Sequence, residues 1–289
     1  AGLIAGHGAV VSFGITEKDL DRQAERDRQG NQRLATADRN GFFYVLDRTD
    51  GELISAEPYV TVMWASGVDK STGRPVENPE ARYGDTPVLI APTGFGGHNW
   101  HSMAYSPASR LVFLPSQDLA ALYAEEAGFE FTEGFWNTGI DFETLHLPDN
   151  PAVKEQIAQM IRGALIAWDP VAQKEVWRYQ TDHQVTGSPV IYKDSVYCGS
   201  VDGNLYCLEA RTGAEIWQER LKGKFAASLL HAHGRLYCVS QEGQTTVLKA
   251  GHEFEVLAEN TLDTGCMASP AMAHGALFLR TKTHLYRID

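Results

Sequence analysis

The feature that most constrains this chain is a repeat of about 40 residues in its second half. Trp177 and Trp217 stand one period apart, and Leu257 follows at the next. Asp202-Gly203 returns as Glu242-Gly243, and Ser188-Pro189 returns as Ser228-Leu229 and Ser269-Pro270. Tyr197, Tyr237 and Phe278 hold matching places, as do Cys198 and Cys238. One copy reads SPVIY, SVYCGS, NLYCLEA and AEIWQE, separated by KD, DG and RTG. Apolar–polar alternation marks strands, and the Gly- and Asp-containing pairs mark tight turns. Four short strands per period predict an all-β fold, a β-propeller of four-stranded blades, rather than a helical solenoid. The tryptophan late in each copy is expected to pack between neighbouring blades.

Weaker copies lie upstream. D-x-x-x-G-x-x-x-W is present as EARTGAEIW, with Glu209 in the acidic place, and as DPVAQKEVW, with Gln for Gly. LDRTDGELIS, with Ser55 at the tryptophan place, extends the pattern back to about residue 33. The count is about five blade units: 33–55 (incomplete), 102–179, 185–220, 225–262 and 268–289, in a closed or partial ring. The last ends at its third strand, HLYRID, so closure needs a strand from the N-terminus. GAVVSF (8–13) is the candidate. Residues 56–100 and 118–150 are long loop insertions, of the kind that cover a ligand-binding face. DNPAVKEQIAQMI reads as one short helix, capped by Asp149 or Asn150, opened by Pro151 and lined by Val153, Ile157 and Met160. Residues 17–28, EKDLDRQAERDR, read as a solvated helix or as disorder.

Composition narrows the function. A net charge of -12 argues against nucleic acid as a partner. No run of about 18 apolar residues exists, so no membrane span is expected. The start, AGLIAGHGAVVSF, lacks the basic residues and cleavage pattern of a signal peptide, which suits a mature form or a fragment. Four cysteines occur without CxxC or CxxCH, so neither a zinc site nor haem is expected. They read as small strand residues, or as one disulfide if the chain is exported.

Residues 35–55, ATADRNGFFYVLDRTDGELIS, closely resemble a blade of the quinoprotein alcohol dehydrogenases, which use pyrroloquinoline quinone (PQQ). The likeness continues through MWASGVD, GRPVENPEARYG, GGHNWHSMAYSP, LVFLPSQ, GFWNTGIDF and GALIAWDPVAQKEVW. It implies an eight-bladed propeller with PQQ on its axis, oxidation of a small alcohol, and a periplasmic or secreted location. Beyond Tyr179, TDHQVTGSPV replaces the family's W-N-G-G segment, and the chain resembles generic PQQ-like repeats of noncatalytic propellers. Three stretches of one propeller domain result: an atypical charged segment over 1–32, dehydrogenase-like blades over 33–179, and generic blades over 180–289. A natural fusion, a truncated or misassembled reading frame and an engineered chimera each give such a mosaic.

The resemblance places cofactor contacts on Arg39 of DRNG and on Asn99 and Trp100 of GGHNW. A guanidinium offers two parallel hydrogen bonds to adjacent oxygens of a planar polyanion, and its charge suits an oxyanion developing there. The competing reading is a turn arginine paired with Asp38 or Asp47. Asn99 offers a donor and an acceptor, Trp100 an apolar face and an N–H. They are expected across the propeller axis from Arg39. His98 and His101 form H-x-x-H without a third ligand nearby, so no metal site is assigned. Calcium is expected from the resemblance, but its Glu and Asn ligands are not found. Neither is the catalytic Asp, because Asp19, Asp21 and Asp27 sit in a charged run. Two function classes remain: a PQQ-linked oxidoreductase or its remnant, and a noncatalytic propeller that presents its surfaces to a protein partner. A third, sugar hydrolysis, would need paired carboxylates, and nothing favours Asp141 and Glu143 for it.

Overall fold

The computed structural model describes residues 10–14, 32–145, 163–181, 183–262 and 264–289. The charged run at 17–28 and the helix expected at 149–161 lie outside them. The described residues are built from short antiparallel strands, and they hold no helix long and apolar enough to cross a membrane.

The first blade is β1 (Val10–Gly14), β2 (Gln32–Ala37), β3 (Phe42–Asp47) and β4 (Leu53–Pro58), paired in that order. Between the first and second blades run the hairpin β5 (Ala65–Asp69) and β6 (Arg74–Glu77), and then β7 (Val88–Ile90). The second blade is β8 (Ala104–Ser106), β9 (Leu111–Gln117), β11 (Gly163–Asp169) and β12 (Lys174–Thr181). Strand β10 (Ala121–Tyr123) lies in the insertion between β9 and β11 and pairs with β7. The third blade is β13 (Val185–Tyr192) to β16 (Glu215–Arg220), with β14 (Ser195–Ser200) and β15 (Asn204–Glu209) between them. The fourth is β17 (Leu230–Ala232), β18 (Arg235–Val239), β19 (Gln244–Lys249) and β20 (Val256–Thr261). The last sheet has three strands, β21 (Ala271–Ala273), β22 (Ala276–Arg280) and β23 (Leu285–Ile288).

The five expected blade units are therefore present, with one change. The N-terminal strand does not complete the last sheet. It lies beside β2 as the first strand of the first blade, and the last sheet keeps three strands. The repeat hid this because β1 and β2 are joined by 17 residues (15–31), whereas the two-residue turn Lys193-Asp194 joins the matching strands β13 and β14.

Two compact units contain these sheets. One holds most of the first blade and the insertions, within 12–14, 32–99 and 117–145; the other holds 10–11, 100–116 and the described residues of 163–289. In the second unit the joints between blades follow from the repeat. The indole of Trp177 packs against Phe113 at 5.7 Å between ring centroids, within a buried cluster that includes Leu165, Tyr206 and Leu208. The acidic residue of each turn explains its place in the motif. Glu209 Oε2 accepts the N–H groups of Arg211 and Thr212 at 3.0 and 2.7 Å, and Asp169 Oδ1 accepts those of Val171 and Ala172 at 2.8 and 2.9 Å. A carboxylate so placed satisfies turn amides that would otherwise face solvent. At or just before the first strands, the repeated serines bond from blade to blade. The N–H of Ser102 donates to Ser188 Oγ at 3.0 Å, that of Ser188 to Ser228 Oγ at 3.0 Å, and that of Ser228 to Ser269 Oγ at 2.9 Å.

Candidate functional site

Asp38, Arg39, Asn40 and Gly41 form the β2–β3 turn. Gly41 N–H donates to Asp38 O at 3.1 Å, Asp38 N–H to Phe42 O at 3.0 Å, and Phe42 N–H to Asn40 Oδ1 at 3.0 Å. Gly41 has φ +99, and a Cβ there would lie 2.6 Å from Val62 Cγ2, so only glycine suits the position. The buried Tyr59 hydroxyl donates to Asp38 O at 2.6 Å, and the Trp64 indole to Asn40 O at 2.9 Å. The same turn recurs at Gly203 and Gly243, whose N–H groups donate to Ser200 O and Ser240 O at 3.2 and 3.1 Å. Arg39 thus occupies the place of Val201 and Gln241. The carbonyls of all three accept an N–H from the segment leading to the next blade: Gly97, Phe225 and Cys266, at 3.1, 3.0 and 3.1 Å.

That segment is the Gly94–Gly97 loop. The Arg39 guanidinium donates to Gly94 O at 2.6 Å, rather than to Asp38 or Asp47. Asn99 Nδ2 donates to Phe95 O at 3.0 Å. Gly96, at φ +79, rides on the arginine itself: an added Cβ would lie 2.6 Å from Arg39 Cβ and 2.7 Å from Arg39 Cα. Tyr123, on β10, donates no less to the loop's order, since its hydroxyl accepts Gly94 N–H at 2.8 Å and its ring stacks on Tyr83 at 5.6 Å. Gln117, at the end of β9, donates from Nε2 to Gly96 O at 2.9 Å and from its backbone N–H to Gly97 O at 2.8 Å.

Arg39 and Asn99 are therefore not set across an axis. They meet on consecutive carbonyls of one loop. Trp100, the next residue, exposes 59 % of its surface and lies 4.7 Å from the His101 ring, centroid to centroid. His98 and His101 are buried. Asp38, next to Arg39, has its carboxyl pushed up by burial; the N–H groups of Asn40 and Arg39 and the Arg39 charge pull the other way. Neither Gln117 nor Tyr123 carries a motif that marks it in the sequence. Gln117 was visible only as the polar end of an apolar strand, LVFLPSQ. Asp141 Oδ1 accepts Glu143 N–H at 2.9 Å, capping the short 3-10 turn Phe142–Leu145.

A guanidinium and a carboxamide held on one loop offer donors suited to a planar, anionic ligand. Among the described residues no three His, Cys, Asp or Glu converge as metal ligands.

The blades define a β-propeller fold. Comparison with known proteins agrees: the chain is similar to quinoprotein alcohol dehydrogenases in sequence and in fold. Over 251 residues it is 38% identical to quinohemoprotein alcohol dehydrogenase ADH IIB of Pseudomonas putida, covering 84% of this chain and 35% of that protein. It is 37% identical over 191 residues to 1-butanol dehydrogenase (cytochrome c) of Thauera butanivorans, covering 63% and 26%. The solved structure of ADHIIG from Pseudomonas putida HK5 superposes with a TM-score of 0.70 at 25% identity, over 92% of this chain and 40% of that one. That of the Comamonas testosteroni quinohemoprotein alcohol dehydrogenase gives 0.62 at 30% identity, over 83% and 34%. A family model described as outer membrane protein assembly factor BamB matches residues 162–253. The chain thus spans only about a quarter to a third of the length of these relatives.

One expectation is corrected by these findings. The absence of CxxCH suggested that haem has no part, yet relatives matching most of this chain are haem proteins by name. A motif missing from a stretch matching a third of such a protein does not speak against haem.

Proposed function

We propose that the chain supplies the quinone-contacting blade of a periplasmic, PQQ-linked alcohol dehydrogenase. The observation that carries this is the convergence of Arg39 and Asn99 on the Gly94–Phe95 carbonyls. In this reading Arg39 leaves Gly94 O to donate to the ligand's oxygens, and its charge opposes the negative charge that develops there. Asn99 fixes the ligand's rotation by offering one donor and one acceptor. Trp100 covers an aromatic face and excludes water from it. PQQ, when bound, supplies the acceptor for the two electrons and two protons that a small alcohol loses on becoming an aldehyde.

The test is titration of the purified chain with PQQ, followed by intrinsic tryptophan fluorescence, and then dye-linked oxidation of short alcohols. Saturable binding supports the proposal. No binding at tens of micromolar overturns it.

A second reading is favoured by the match of 162–253 to the outer membrane assembly factor model. The third and fourth blades would then serve as a scaffold for a protein partner, and PQQ would not bind.

A further inference from the structure

We infer that Gln117 is the positioning residue of this site, its buried carboxamide locking the Gly94–Gly97 loop in the form that orients Arg39 and Asn99. The inference rests on the reading of those two side chains as quinone contacts, and it adds a residue that touches neither the ligand nor the reacting atoms.

Four consecutive carbonyls of the loop are held. Gly94 O accepts from Arg39 at 2.6 Å and Phe95 O from Asn99 at 3.0 Å. Gly96 O accepts from Gln117 Nε2 at 2.9 Å, and Gly97 O from the Gln117 N–H at 2.8 Å. The Gln117 carboxamide also lies 3.4 Å from Phe95 O, the atom that Asn99 holds. One residue therefore faces three successive carbonyls, and it does so from a rigid strand, with only 8% of its surface exposed. The two side chains with ligand chemistry approach the same loop from the first blade and from within the segment itself. If the loop turned, both would lose their aim together.

Glycine explains why a clamp is required. Gly96 and Gly97 leave no Cβ to wedge the loop, because a Cβ would strike Arg39 at 2.6 Å and Val60 Cγ2 at 2.4 Å. Close approach of backbone to Arg39 is gained at the expense of conformational restraint. The restraint comes back through Gln117, whose amide can donate to a buried carbonyl without bringing in a charge.

The test uses Gln117→Leu, Arg39→Ala and the double variant, with PQQ as the probe. Gln117→Leu is expected to weaken PQQ binding about tenfold in the otherwise unchanged chain. In the Arg39→Ala background the loss should be clearly smaller, since one of the two side chains it positions is gone and only Asn99 remains. An equal loss in both backgrounds means a structural plug and overturns the inference. Gln117→Glu guards against misfolding: protonated, the carboxyl can donate to Gly96 O, and ionised it cannot. Its affinity relative to the unchanged chain at the same pH should recover on acidification, and failure to recover counts against the clamp. Amide hydrogen exchange over residues 93–99 without PQQ gives a reading independent of binding. Faster exchange in Gln117→Leu is expected, and unchanged exchange overturns the inference. If the unchanged chain binds no PQQ, the proposed function falls, and the exchange measurement alone decides the clamp.

Discussion

Trp177 donates its indole N–H to the carbonyl of Ala210, 33 residues on and one blade away, at 3.1 Å. Trp217 repeats the bond to Gly251 at 3.2 Å, so the joint is a property of the period. The receiving turn is shaped for the ring: a Cβ on Gly213 would lie 2.6 Å from Trp177 Cδ2. Trp177 is buried. Trp177→Phe keeps most of the apolar contact and loses the bond, leaving Ala210 O without its indole donor. A loss of about 1 kcal/mol is expected. Trp177→Ala should cost about 3–5 kcal/mol. Urea denaturation followed by circular dichroism checks both, and equal losses for the two would refute the division.

Gly96→Ala is expected to displace Arg39. The new methyl would have to share space with Arg39 Cβ and Cα while the backbone stays at φ +79. Positive φ alone costs an alanine about 1–2 kcal/mol, and the clash adds to it. Thermal unfolding reads the cost. In the same variant, PQQ affinity should fall, because the displaced guanidinium can no longer swing from Gly94 O to the ligand.

Arg39→Ala should weaken PQQ binding by about 2 kcal/mol, the loss of a charge-assisted hydrogen bond. Arg39→Lys should recover less than half of that, because an ammonium retains the charge but not the parallel fork. Fluorescence titration distinguishes the three proteins. Unchanged affinity in Arg39→Ala removes Arg39 as the anchor.

The cysteines set a limit at alkaline pH. All four are free and buried. Burial pushes the thiols of Cys198 and Cys238 up to about 12 and that of Cys207 up to about 11, from an ordinary value of 9.0. The unfolded chain therefore releases these protons at lower pH than the folded chain does. Stability is intact below pH 9.0 and falls as pH rises from there towards the folded-state values. The slope is about 1.4 kcal/mol per pH unit for each thiol that ionises only on unfolding. Denaturation midpoints measured from pH 8 to 10 should stay level and then drop. Thiol reagents at pH 8 should label the cysteines slowly until denaturant is added.

What the sequence displayed and what it concealed divide along one physical line. The 40-residue period placed Trp177 and Trp217 on equivalent strands, and Gly203 and Gly243 in equivalent turns, because each contact recurs at a fixed chain distance. Arg39 and Asn99 could be singled out from local motifs, but not their meeting on one loop, since the bond from Arg39 to Gly94 spans 55 residues and occurs once. Gln117 was harder still. A glutamine closing an apolar strand looks like any strand end, and only burial against three carbonyls gives it a role. The first strand of the first blade was misplaced for a related reason: the repeat predicts a short turn before β2, and the chain joins β1 to it by a long excursion.

The serine bonds from Ser102 to Ser188, Ser228 and Ser269 have an evolutionary corollary. Every such joint uses the same two atoms, a backbone N–H on one blade and an Oγ on the next. Duplicating or deleting a whole period leaves the remaining joints chemically identical, so no new interface has to be invented. A gene encoding such a chain can lengthen or shorten in units of one blade, and selection then acts only on the blade that carries the loop at Arg39.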